Sequence, residues 1–230
     1  MYDYPPEYQG PKSVEEQCAF WRAHFPNIGG CNVKLAEAAV PNGAEGVFII
    51  PHPAFFQMHH GMRMEKILEI LGKYFGVNNY RFDRLGERWL LDYDNAGRVS
   101  EMRARLLRAQ PNQDLLVLPA QFGYRLRGHE TDFIRELIAL CANETGEFPL
   151  TSYEGLCMLC AHPERERRRD QLHMRFAGDA ARIDLEKKFS LSTALSCYEF
   201  GRMVKVDFFT NPTHAVQHSF GVLTGFAFSL

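Results

Sequence analysis

The chain is predicted to belong to the α+β class, with a mixed helix/strand N-terminal part followed by a C-terminal antiparallel meander. Three observations carry that prediction. Up to Pro163, several segments repeat apolar residues at helical spacing. Among them stand two short apolar runs, bounded by proline or glycine, of the kind that forms buried strands. After Pro163 the pattern changes to an alternation of period two.

The first twelve residues, MYDYPPEYQGPK, are rich in Pro, Tyr and Gly and are expected to form an extended arm. Ser13–Phe25 is expected to be a helix. Ser13 and Glu16 supply a capping box, Val14, Cys18, Trp21 and Phe25 share a face, and Pro26 ends it. Gly46–Ile50 is a buried strand halted by Pro51 and Pro53. Met62–Phe75 is a helix whose apolar residues fall on one side, with Gly76 placed to follow its C-terminus. Tyr80–Asp83 is a short strand, Val99–Ala109 an Arg-bearing helix broken by Pro111, and Leu115–Leu118 a second buried strand.

Thr131 caps a helix with Phe133, Ile134, Leu137, Ile138 and Cys141 on one face, closing near Gly146. Thr151 and Glu154 form a second capping box, for a helix that stops at Pro163. Leu172–Phe176, Leu195–Phe200, Met203–Phe209 and Phe220–Phe228 follow as strands, with turns at Gly201 and Asn211–Pro212. The meander is short, so residues 13–230 are expected to form a single domain, with a subdivision near residue 165 as the alternative.

Composition bounds the function. A net charge of −2 over 230 residues argues against a strongly basic nucleic-acid coat. The distribution of charge says more than its sum. Between Arg98 and Arg182 there are 13 Arg and no Lys, among 12 acidic residues. The planar guanidinium suits phosphate and carboxylate. Codon bias in a GC-rich genome accounts for the same excess without any function. The start of the chain has no charged segment followed by an apolar one, and no apolar run approaches a membrane span. With six Cys in a chain too long for a disulfide scaffold, a reduced, cytoplasmic, membrane-free protein is expected.

The segment from Asp114 to Glu130, DLLVLPAQFGYRLRGHE, is the first candidate site. A buried strand runs into a glycine-punctuated turn, and ligands collect where strands end. Gln121, Arg125, Arg127 and His129 alternate along it. In extended chain the last three would share a face, and three such donors repel unless an anion or carboxylates lie opposite. Internal pairing with Glu130, Asp132 or Asp179 is the competing account. Arg165 and Arg168, in the run ERERRRD, are candidate phosphate contacts, or a solvated surface whose field Glu164, Glu166 and Asp170 halve.

Cys157-x-x-Cys160 with His162 has zinc-like spacing but lacks a second pair, redox chemistry is a further alternative, and its apolar setting suits core thiols. His52, His59 and His60 lack an adjacent carboxylate and suit a polar loop before the Met62 helix. No metal site and no cofactor is therefore assigned. Walker, Rossmann, nucleophile-elbow and HExxH patterns are absent from the sequence.

LPAQFG-x-R-x-RG at 118–128, HPER at 162–165 and AGD at 177–179 resemble the pattern of a protein family found in small-genome, uncultivated bacteria. The glycine- and aromatic-rich last strand is also similar. The likeness covers roughly the last 115 residues and implies no activity. It implies that Arg125, Arg127, Gly128, Glu164 and Asp179 belong to the pattern, and that the Cys157/Cys160 pair does not.

Three functions stay open on these residues. A binding module would contact RNA or another polyanion through Gln121, Arg125, Arg127, His129, Arg165 and Arg168. A hydrolase or nuclease would use His129 as general base, Arg125 and Arg127 as anion stabilisers and Asp179 as orienter or metal ligand. A scaffold would oligomerise through the last strand as a sheet edge. The oligomeric state is left open.

Overall fold

The computed structural model describes residues 6–79, 90–92, 98–123, 129, 131–166, 173–182, 191–200, 203–211, 222–224 and 226–229. They form an α+β protein. In chain order come α1 (Val14–His24), α2 (Val33–Ala36), β1 (Gly46–Pro51), α3 (His60–Leu71), β2 (Gly76–Asn79), β3 (Leu90–Asp92), α4 (Arg98–Arg108) and β4 (Leu115–Gln121). Then follow α5 (Thr131–Thr145), β5 (Glu147–Pro149), α6 (Ser152–Ala161), β6 (His173–Ala181), β7 (Leu191–Phe200), β8 (Met203–Asn211), β9 (Val222–Thr224) and β10 (Phe226–Phe228).

The strands make two sheets. The first is antiparallel, in the order β1-β4-β10-β5. The second runs β2-β8-β7-β6-β3, with β9 also paired to β6. Its antiparallel centre, β6-β7-β8, is the meander that the period-two pattern predicts. The N-terminal part adds to that sheet, because β2 joins β8 in parallel and β3 joins β6.

Local chemistry sets the helix ends. Ser13 Oγ accepts the Glu16 N–H while the Glu16 carboxylate accepts the Ser13 N–H, so the predicted capping box starts α1. Thr151 and Glu154 repeat the arrangement on α6. α3 begins two residues before Met62, because His59 Nδ1 accepts the Met62 N–H and caps it. It ends at Leu71, so Gly76 opens β2 instead of following the helix. The Tyr80–Asp83 strand falls outside the described residues.

Two buried glutamines finish strand edges. Gln17 donates to the Val47 carbonyl at 3.1 Å and accepts the Ile49 N–H at 2.7 Å. Gln110 does the same for Val117, at 2.9 and 2.7 Å. A side-chain amide offers the donor and acceptor of a peptide unit, so each stands in for a neighbouring strand. Trp21, fully buried, adds an indole N–H to the Ile49 carbonyl at 2.6 Å.

α6 is buried along its whole length, as its continuous apolar run requires, and packs on α3, β1 and β6. One apolar cluster extends from Tyr8 through both sheets to Phe228. The second half of the Pro- and Tyr-rich arm is docked on it. Tyr8 is buried, and Lys12 Nζ reaches the Ala161 carbonyl at 2.7 Å and Glu164 at 3.1 Å.

The last predicted strand, Phe220–Phe228, is corrected. Its residues serve two sheets: β9 lies on β6, and β10 lies between β4 and β5. Period two describes the pleat within a strand and is blind to which sheet the strand joins. β10 is thus interior, and the edge that the scaffold reading needs is not at Phe226–Phe228.

Where β6 passes the β5–α6 turn, the chain needs a glycine. A Cβ at Gly178 would lie 2.6 Å from the Pro149 carbonyl oxygen and 2.8 Å from the Leu150 carbonyl carbon. Neither backbone atom can swing away. Gly178→Ala is therefore expected to destabilise the fold by about 1–3 kcal/mol, the usual cost of overpacking. Urea denaturation checks it, and an unchanged midpoint would refute the close approach.

Candidate functional site

The strand-end site divides at Gly123. β4 is buried throughout and finishes at Gln121, whose side-chain amide donates to the Gly43 carbonyl at 2.7 Å. Gly123 then adopts φ +105°, which turns the chain out of the strand. The turn thus comes between Gln121 and the segment in which Arg125, Arg127 and His129 are expected to share a face. Residues 124–128, with Arg125 and Arg127, lie outside the described residues. The chain is described again at His129, which is exposed. Its imidazole stacks on Phe133, with ring centres 4.9 Å apart and planes 29° apart. Phe133 sits in the first turn of α5 and is 48% exposed.

Arg165 lies elsewhere, and inside. It is fully buried, with its guanidinium 5.3 Å from the Phe122 ring centre and 6.0 Å from that of Tyr8. Glu45 shares this region, accepting the Phe122 N–H at 3.1 Å and the Tyr8 hydroxyl at 3.0 Å. Burial raises the Glu45 carboxyl to about 7, although Arg165 pulls it down. A surface phosphate cannot reach Arg165 in this position, so the 165–169 run loses its first member as a contact. Arg168 falls outside the described residues.

Asp179 and His129 are not brought together. Asp179 is fully buried on β6, and its carboxylate meets His60 Nε2 at 2.9 Å and accepts the Ser152 N–H at 3.0 Å. The Arg135 guanidinium donates to the Asp179 and Ala177 carbonyls. Asp179 thus ties the N-termini of α3 and α6 to β6. The hydrolase reading loses its orienter, because the imidazole on Asp179 belongs to His60.

Several arginines of the Lys-free stretch have internal partners. Arg103 Nε donates to Glu154 Oε1 at 3.0 Å, and Arg105 and Arg108 both reach Glu101. The cysteine pair on α6 is core. Cys157 and Cys160 are fully buried, burial pushes both thiols up, and Cys160 donates to the Ile67 carbonyl at 3.6 Å. His162 serves other groups: Nδ1 donates to the Met158 carbonyl at 2.8 Å and Nε2 accepts the Lys12 N–H at 3.0 Å. Among the described residues, no group of three His, Cys, Asp or Glu is placed to hold a metal ion. Nor is any helix there long and apolar enough to cross a membrane.

Two arrangements escape the sequence. His60 looks like one of three loop histidines, and only the fold supplies its carboxylate, from far along the chain. His52 and His59 do cap local turns, as polar loop residues would. The second is a thiol pair, Cys18 on α1 and Cys31 before α2, with Sγ atoms 3.8 Å apart. No local motif joins them, because a helix and a loop intervene. No family model, curated protein or solved structure matches the chain.

Proposed function

We propose that the protein binds single-stranded RNA at the β4–α5 junction. The observation that carries this reading is the exposed stack of His129 on Phe133, directly after the segment with Arg125 and Arg127. Proteins that hold single strands combine cations that follow the phosphates with flat rings on which bases stack. Here the basic segment and the ring pair are adjacent in sequence, and a fifteen-residue helix starts beside them. Its first N–H groups favour a phosphate as well. The two arginines also belong to the LPAQFG-x-R-x-RG pattern that the chain resembles.

Fluorescence anisotropy with a labelled oligouridine tests it. Phe133→Ala is expected to weaken binding by about 1–3 kcal/mol, the worth of one stacked base. Arg125→Ala with Arg127→Ala is expected to flatten the plot of log K against log salt by about 1.4, for two lost phosphate contacts. No binding at low salt, or binding indifferent to both variants, would refute the reading.

A further inference from the structure

α1 and the loop after it build a second chemical feature, remote in sequence from the RNA-binding segment. Cys18 lies on the inner face of α1 and is 6% exposed, whereas Cys31 is half-buried. The loop that carries Cys31 is pinned to the start of β4. The Gly29 N–H donates to Asp114 at 2.8 Å, and the Gly30 carbonyl accepts the Leu115 N–H at 3.3 Å. This anchoring holds Cys31 opposite Cys18, sulfur to sulfur at 3.8 Å. Both thiols line a cleft of about 290 Å³, together with Arg22, Gly30, Val33 and Glu37. That is the small end of ligand pockets. Cys157 and Cys160, by contrast, are fully buried in the core.

We propose that Cys18 and Cys31 form a thiol–disulfide exchange site for small disulfides of amino-acid-derived thiols, the class of cystine and oxidised glutathione. Arg22 suits the carboxylates of such a compound, and Glu15 and Glu37, on the same cleft, suit its ammonium group. Cys31, the more accessible sulfur, is the attacking group. The contact with Cys18 holds its pKa below that of a free cysteine, while that same contact, and burial after it, raise Cys18.

The exchange proceeds in two displacements. The Cys31 thiolate attacks one sulfur of the disulfide RSSR, the S–S bond breaks, and RS⁻ leaves with the bonding pair. A mixed disulfide, Cys31–S–S–R, remains. Cys18 gives its proton to the departing thiolate and attacks Cys31 Sγ, releasing the second RS⁻, which takes up the proton that Cys31 had lost. Two protein thiols and RSSR become one protein disulfide and two RSH. Two electrons pass from the protein to the small disulfide. The two sulfurs must approach from 3.8 Å to about 2.05 Å for the bond to close.

The full chain, reduced and desalted, is incubated with oxidised glutathione, alkylated, and mapped by mass spectrometry. The expected product is a Cys18–Cys31 linked peptide, with Cys157 and Cys160 recovered as alkylated thiols after unfolding. In Cys18→Ser the second displacement is blocked, so the glutathionyl adduct on Cys31 is expected to accumulate at least tenfold over wild type. Recovery of Cys18 and Cys31 as free thiols in wild type, at the ratio of oxidised to reduced glutathione that oxidises ordinary protein dithiols, would overturn the proposal. So would an adduct found on Cys141 and not on Cys31. The wild-type map decides even if the variant fails to fold, and neither outcome depends on RNA binding.

Discussion

Asp179→Ala is expected to cost the fold about 3–5 kcal/mol. The aspartate is fully buried and bonds at once to His60 Nε2 and the Ser152 N–H. Removing it takes the carboxylate away from a buried imidazole and a buried backbone donor, and a buried polar group that loses an acceptor bears a desolvation penalty. The loss also disconnects three elements, because Asp179 links α3 and α6 to β6. For a chain of this size the midpoint of thermal unfolding should fall by roughly 6–20 °C. Asp179→Asn keeps an acceptor in place and should lose less. The alanine variant unfolding within about 1 kcal/mol of wild type would show that the pair is not a structural tie, and a catalytic role for Asp179 with His60 would then need a test.

His162 should make stability depend on pH in one direction. It is fully buried at the end of α6, and burial lowers its pKa from 6.5 to about 4. A base depressed in the folded state binds fewer protons there than in the unfolded chain. Its contribution is therefore complete above pH 6.5 and is lost as pH falls from 6.5 to about 4. The shift corresponds to about 3 kcal/mol. Glu45 works against it, because its carboxyl is raised from 4.5 to about 7 and its contribution is lost as pH rises through that window. The wild-type curve alone is thus a poor witness. His162→Gln retains a donor for Met158 and an acceptor for Lys12, and removes the charge change. The difference in stability between this variant and wild type should move by about 3 kcal/mol between pH 6.5 and pH 4, in favour of the variant at low pH. Urea titrations at both pH values measure it, and a difference that stays constant would exclude a buried neutral His162.

Local signals were legible in the chain and distant ones were not. Ser13/Glu16 and Thr151/Glu154 are three residues apart, so their capping boxes could be written down before the fold. The run of apolar residues in α6 announced a buried helix, and with it the core character of Cys157 and Cys160. The basic pattern around Arg165 suggested a surface, but the fold encloses that side chain between Phe122 and Tyr8, where aromatic faces receive the cation. Periodicity cannot report such an enclosure, because the rings come from other elements. His60 with Asp179, and Cys18 with Cys31, are invisible for the same reason: each pair exists through tertiary contact alone. Of the strand-end site, the sequence supplied the arginines, while Gly123 and the His129–Phe133 stack supplied the geometry that a strand pattern could not.

The position of β10 has a bearing on time. β4 and β5 are both synthesised before it, yet they are joined in the sheet only through it. At ordinary elongation rates, roughly 5–20 s separate the last residue of β4 from the first of β10. Until β10 is made, the edge of β4 that it covers in the finished fold has no strand to pair with. Gln110 already covers the Val117 part of that edge, and it lies N-terminal to β4, so it leaves the ribosome first. The amide that completes an edge in the finished protein thus guards the same edge while the protein is being made.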